Sequence, residues 1–248
     1  MRLKISDIID KHKGQKCIIV GHGPSLNPYL GKLKELKEQG YIIIGCNNWI
    51  EFYENCPPHY WLSANNVDHS GNLTQYINKY KPVWIYADTV DLTDYAWIDA
   101  NFQTDYLPFD QRHFGGQKCG VCGWYKCDKN LDPNRLTIQE ELQKYTGFDK
   151  RYNSGDTIAV HMFAFGILMG FSEVYVIGFD FNYHLGYAKN TTGRQIGDVC
   201  TYFDENSYGA NVLKDVSVIA ESAQKIGTKM YNMDKNSYWK YFEYKELI

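Results

Sequence analysis

Gly21-His22-Gly23-Pro24-Ser25 follows the apolar run Lys16 to Val20 and precedes leucines at helical spacing. The glycines permit close backbone approach, free amides at a helix start favour an anion, and the Ser25 hydroxyl adds a donor, so the turn suits a phosphate. It is neither the dinucleotide fingerprint G-x-G-x-x-G nor a P-loop with its Lys. Without a ligand the same residues make a tight strand-to-helix corner. Asn47, and Asn65 or Asn66, also follow strands; each can offer a donor and an acceptor to a base or ribose edge, or serve as a turn residue. Arg151 stands ahead of Ser154-Gly155-Asp156-Thr157, placing a guanidinium able to pair with phosphate or carboxylate beside hydroxyls and amides at a second helix start. Asp180 can take a ribose hydroxyl or a metal. Tyr183 and Tyr187 can donate to a leaving phosphate, or pack on the surface of a chain with 21 Tyr.

His113, Cys119, Cys122 and Cys127 form H-x5-C-x2-C-x4-C, and one imidazole with three thiolates is a legitimate tetrahedral zinc set. The alternative is a loop carrying free thiols. His161 lies in an apolar helical run and reads as a core histidine with a satisfied ring rather than a base.

Strands and helices must position these groups. Lys16 to Val20, Tyr41 to Gly45, Tyr60 to Ser63, Pro82 to Tyr86, Glu173 to Gly178 and Lys229 to Met233 read as short buried strands. Leu30, Leu33 and Leu36 mark a helix before Gly40. Asp156 to Met169 is apolar enough for a helix buried on most sides, and Val212 to Ile226 is amphipathic. Residues 105–135, rich in Gly, Cys and aromatics without a period, read as an irregular insertion or lid. Strands alternating with helices predict one α/β domain over 1–248: a Rossmann-like, mostly parallel sheet with helices on both faces. Ligands then bind outside the carboxyl ends of the strands, near a topological switch point.

Composition narrows the partners. The chain has 248 residues, 44% apolar and 22% charged, enough apolar material to offset its ordering entropy. A net charge of −3 without like-charge blocks argues against nucleic acid. Seven Cys, an odd number, fit a reducing compartment. No run reaches transmembrane length and the N-terminus lacks signal-peptide character, so the expected location is cytoplasmic. The tail Tyr238 to Lys245 can rest peripherally on the inner membrane face or pack against the last elements; its few lysines favour packing.

Ile18 to Leu26, Gly45-Cys46-Asn47, Arg151-x-x-Ser154-Gly155 and Gly170 to Phe181 together resemble, in order and spacing, the bacterial sialyltransferases of glycosyltransferase family 42. A related group, including archaeal 6-hydroxymethylpterin diphosphokinase-like proteins and flagellin-modifying glycosyltransferases, shares the frame. The resemblance covers residues 16–66 and 148–235. It implies a Rossmann-like domain with a lid, a CMP-activated sugar donor, a glycan or other hydroxyl acceptor, no required metal, and often a homo-oligomer. By the same resemblance Gly21 to Ser25, Asn47, Asn65 or Asn66, and Ser154-Gly155 hold the nucleotide, with Asp180 and Phe181 near it. Arg151 matches an active-site arginine, and Tyr183 and Tyr187 match a tyrosine pair on the departing phosphate, where donors favour the developing charge.

Two positions depart from that family. Its general base is a His shortly before the last helix, where Tyr202 to Ala210 has none; Asp204 or Glu205 can substitute if within reach of the acceptor hydroxyl. His22 replaces the Asn usual in the first turn. The expected function is therefore glycosyl transfer from a nucleotide donor. The alternatives are a diphosphokinase acting on a pterin-like alcohol, with Asp180 and Asp204 holding Mg²⁺, and a non-catalytic nucleotide-binding module.

Overall fold

The computed structural model describes residues 1–47, 56–63, 71–87, 95–109, 137–152, 157–180, 208–237 and 239–247. Within them the strands are β1 (Lys16–Val20), β2 (Ile42–Cys46), β3 (Tyr60–Ser63), β4 (Val83–Ala87), β5 (Tyr106–Phe109), β6 (Glu173–Ile177), β7 (Lys229–Asn232) and β8 (Glu243–Tyr244). The helices are α1 (Leu33–Glu38), α2 (Gly71–Tyr80), α3 (Tyr95–Asn101), α4 (Ile138–Thr146), α5 (Ile158–Leu168) and α6 (Tyr208–Ile226). Among the described residues the strands form one eight-stranded parallel sheet of order β5-β4-β3-β2-β1-β6-β7-β8. The arrangement is α/β and Rossmann-like, as the alternating pattern predicts.

The pleat sorts the core into two layers, because successive strand residues point to opposite faces. Cys17, Ile19, Ile44, Val174 and Val176 face α4, α5 and α6. Ile18, Val20, Ile43, Trp61, Trp84 and Tyr175 face Leu33 and Leu36 of α1, Ile77 of α2 and Ile98 of α3. Both faces are covered, which is why the strands read as continuous apolar runs rather than as alternating ones. Every residue of α5 is buried. Thr157 starts that helix by accepting the Ala159 amide through its side chain.

Several details differ from the sequence reading. The opening of 105–135 is regular, since Tyr106 to Phe109 forms β5 beside β4; residues 110–136 lie outside the described part. Pro108 conceals this strand. Tyr106 N–H points away from β4 to the Met1 carbonyl (3.0 Å), and two residues on, the ring nitrogen of Pro108 faces the same outer side, so no ladder bond to β4 is lost. After β1 the chain enters a 3₁₀ helix, Pro24–Tyr29, with Pro28 inside it, and only then α1. The last helix starts at Tyr208, earlier than Val212. The tail packs against the fold as favoured: Trp239 and Phe242 are in the core and Glu243–Tyr244 joins β7. No helix among the described residues is long and apolar enough to cross a membrane.

Candidate functional site

From β1 the chain steps outward through β2, β3, β4 and β5, then returns through α4 and α5 to lay β6 on the other side of β1. The following strands leave in the opposite direction, so the carboxyl ends of β1 and β6 flank the sheet's switch point.

The two backbones cross there at close range. Gly21 N–H donates to the Ile177 carbonyl (2.8 Å) and Gly23 N–H to the Gly178 carbonyl (2.7 Å), extending the β1–β6 ladder past both strands. Gly178 has φ +77°, and a Cβ on it would lie 2.5 Å from the Gly21 carbonyl oxygen. A Cβ on Gly21 would lie 2.8 Å from the Gly178 carbonyl carbon, and one on Gly23 would overlap the Asp180 carboxylate. Glycine is required here for backbone crossing and for seating Asp180, whatever ligand binds.

Ser25 completes the knot. Its amide donates to Asp180 Oδ2 (3.0 Å), and its Oγ accepts the Gly178 amide (3.0 Å). Leu26 N–H donates to the Gly23 carbonyl (3.0 Å). The amides of Gly21, Gly23, Ser25 and Leu26 thus all have protein partners, which corrects the expectation of free amides at this turn. The physical reason is that Asp180 already supplies the anion that a helix start attracts.

Asp180 is only 7% exposed. Burial raises its carboxyl above the ordinary Asp value, bonds from the Ser25 side chain and backbone pull it back, and the Asp234 carboxyl pushes it up again. Phe179 beside it is held from behind: Trp239 Nε1 donates to the Phe179 carbonyl (2.8 Å), and Phe163 of α5 meets the Phe179 ring edge-on at 5.3 Å. The chain exit from β6 is therefore braced by the core helix and by the tail.

His22 reaches across to the end of β2, where its ring hydrogen-bonds the Cys46 backbone; burial pushes its pKa down to about 4, so it is neutral at pH 7. A neutral imidazole recognises a ligand by hydrogen bonding rather than by charge. Asn47 adopts φ +43°, a conformation Asn tolerates. Its amide donates to the Leu62 carbonyl (2.7 Å) and its carbonyl accepts the Trp61 indole N–H, closing the β2–β3 corner. The turn-residue reading of Asn47 thus describes its backbone.

The structure brings Gly21, His22, Gly23, Pro24, Ser25 and Asp180 together, with Asn47 at the adjoining strand end. Arg151 is held differently, between α4 and α5. Its Nη1 lies 3.5 Å from Glu140 Oε1, and Glu140 is itself locked in a capping box with Thr137. His161 is fully buried in the core, with Nδ1 2.9 Å from the Tyr152 hydroxyl. Asn65, Asn66, Ser154, Gly155, Phe181, Tyr183, Tyr187, Asp204 and Glu205 lie outside the described residues, as do His113, Cys119, Cys122 and Cys127. Cys17, Cys46 and Cys56 are free and buried. Burial raises the Cys17 thiol pKa well above its ordinary value, Cys46 to about 12 and Cys56 to about 11, so these thiols are poor nucleophiles.

Sequence reasoning missed Asp234, Tyr29 and the bracing Trp239. Asp234 had a usable signal, because it directly follows a legible strand, Lys229 to Met233. Among the described residues no group of three or more His, Cys, Asp and Glu side chains gathers as a metal site. No protein-family model matches the chain, and no curated protein matches it.

Proposed function

We propose that this chain binds a nucleotide at the β1–β6 switch point and transfers a sugar, sialic-acid-like and CMP-activated, from it to a hydroxyl acceptor. The observation that carries this reading is the gathering of Gly21 to Ser25, His22, Asn47 and Asp180 at the one place where an open parallel sheet offers a ligand crevice. The neutral His22 suits a base or ribose edge. With the Gly21, Gly23 and Ser25 amides already engaged, the phosphate contacts fall to Tyr183, Tyr187, Ser154 and Gly155, and to Arg151 once it exchanges its Glu140 partner. Transfer is a direct displacement: the acceptor oxygen bonds to the anomeric carbon, the bond from that carbon to the phosphate oxygen breaks, and the configuration inverts. Asp204 or Glu205 takes the acceptor proton, while the tyrosines hold the charge that develops on the phosphate.

The test is a thermal-shift screen of CMP, CDP, UDP, GDP, ADP and ATP, each in EDTA and in Mg²⁺. A ligand that binds only the native state raises the melting temperature. Stabilisation by CMP in EDTA is the expected result; no response to any nucleotide would remove the reading. A second reading, the Mg²⁺-dependent diphosphokinase, is favoured by Asp180 and Asp234 sitting at neighbouring strand ends, and a response confined to ATP with Mg²⁺ would select it.

A further inference from the structure

At the end of β7, Met233 N–H donates to the Val176 carbonyl (2.9 Å), continuing the register that pairs Val176 with Asn232. The next residue, Asp234, therefore arrives beside the Gly178–Asp180 exit of β6. Its backbone is held by its own amide donating to Asn232 Oδ1 (3.0 Å), and its carboxylate Oδ1 accepts the Asn236 amide (2.9 Å); among the described residues no hydrogen bond engages Oδ2. Asp180 presents the complementary group. Its Oδ2 is tied to Ser25, while its Oδ1 is fully buried and has no hydrogen-bond donor. The ends of β6 and β7 are neighbours in the sheet, and the Asp234 carboxyl is among the groups that act on Asp180, raising its carboxyl pKa.

Two carboxylates at neighbouring strand ends, one of them buried with an unpartnered oxygen, favour a proton or a cation between them. Among the described residues no Lys or Arg forms an ion pair with either one. The added anion nearby is Glu246: burial first, then Glu246 and Asp234, push the Tyr29 hydroxyl up to about 12, so it stays neutral, and the Tyr244 hydroxyl donates to Glu246 Oε2 (3.2 Å). Asp234 is half-buried, so the pair has a route to solvent.

We propose that Asp180 and Asp234 form a divalent-cation site, for Mg²⁺ or Mn²⁺, at the carboxyl ends of β6 and β7. All-oxygen donors without His or Cys select a hard ion. Mg²⁺ typically binds through one or two carboxylates, keeps several waters, and completes its shell with substrate phosphates. The site adjoins the Gly21–Ser25 turn, whose Gly21, Gly23 and Ser25 amides are already engaged, and a cation held by Asp180 and Asp234 would add positive charge on that side of a bound phosphate. The bridge to phosphate rests on the nucleotide-binding reading above; binding of the ion itself does not.

The experiment measures Mn²⁺ alone, by the electron paramagnetic resonance signal of the free ion, titrated into the full chain without nucleotide and displaced with Mg²⁺. One Mn²⁺ per chain, displaced by Mg²⁺ and weakened at least about tenfold in Asp234→Asn, is expected. Asp234→Asn is the primary variant because Asp180 also anchors Ser25; Asp180→Asn serves as a second where circular dichroism shows it folded. No saturable Mn²⁺ binding, or equal affinity in Asp234→Asn, overturns the site and leaves the pair sharing a proton. Nucleotide binding is scored separately in EDTA, so failure of the ion site and failure of the nucleotide reading give different results.

Discussion

Substituting Gly21→Ala tests the crossing of β1 and β6 directly. Gly21 does not have a positive φ, so the alanine backbone is unstrained and any cost comes from the methyl group. That methyl would sit 2.8 Å from the Gly178 carbonyl carbon and 3.0 Å from Phe179 Cδ1. The first obstacle is backbone, and Phe179 is braced by Phe163 and Trp239, so neither yields cheaply. Overpacking of this kind costs about 1–3 kcal/mol. Parting the strands also weakens the Gly21–Ile177 and Gly23–Gly178 bonds, each about 0.5–1.5 kcal/mol net. The expected loss is roughly 2–6 kcal/mol, a large part of the 5–15 kcal/mol typical of a domain. Two controls separate the causes. Gly31→Ala has open space and ordinary φ and should be neutral or up to about 1 kcal/mol more stable. Gly14→Ala also has open space but φ +79°, and should lose about 1–2 kcal/mol from backbone strain alone. Urea unfolding of the three variants gives the comparison. A Gly21→Ala protein within about 0.5 kcal/mol of wild type would refute the close crossing.

Two further predictions concern histidines. His22 drops from 6.5 to about 4 on folding, so the folded state holds fewer protons and stability falls as pH drops from about 6.5 towards 4. The full shift corresponds to about 3 kcal/mol. His59 is also pushed down to about 4, mainly by burial, and adds a smaller contribution of the same sign. His22→Asn should flatten urea midpoints measured between pH 7 and pH 4.5, and an unchanged pH slope would show that the ring is not desolvated. Tyr152→Phe removes the hydroxyl beside the buried His161 ring and should cost about 1–3 kcal/mol in thermal or urea unfolding; a neutral result would mean that this bond contributes nothing net.

The parallel sheet was largely legible because its strands are buried on both faces, so β1, β2, β3, β4, β6 and β7 appear as β-branched or aromatic runs with ends correct to about one residue. The buried α5 was visible for the same reason. Pro108 hid β5, since a proline inside a strand is harmless only at an edge, and the edge is a property of the assembled sheet. The two-residue β8 is too short to carry a period of its own.

At the site, the residue types and their location at strand ends came from the sequence: Gly21, Gly23, Ser25, Asn47 and Asp180 all follow strands, which local pattern determines. Their relations did not. Asp180 lies 155 positions from Ser25, and only the return of the chain to place β6 against β1 sets its carboxylate on the Ser25 amide and into the space left by Gly23. The same return turns the two glycines from a cradle for a ligand into a backbone crossing. It also sets Asp180 beside Asp234, because β6 and β7 share a register that no local signal encodes. Local propensity and burial select the elements, whereas the partners of a carboxylate or an amide depend on which strand ends the tertiary fold makes neighbours.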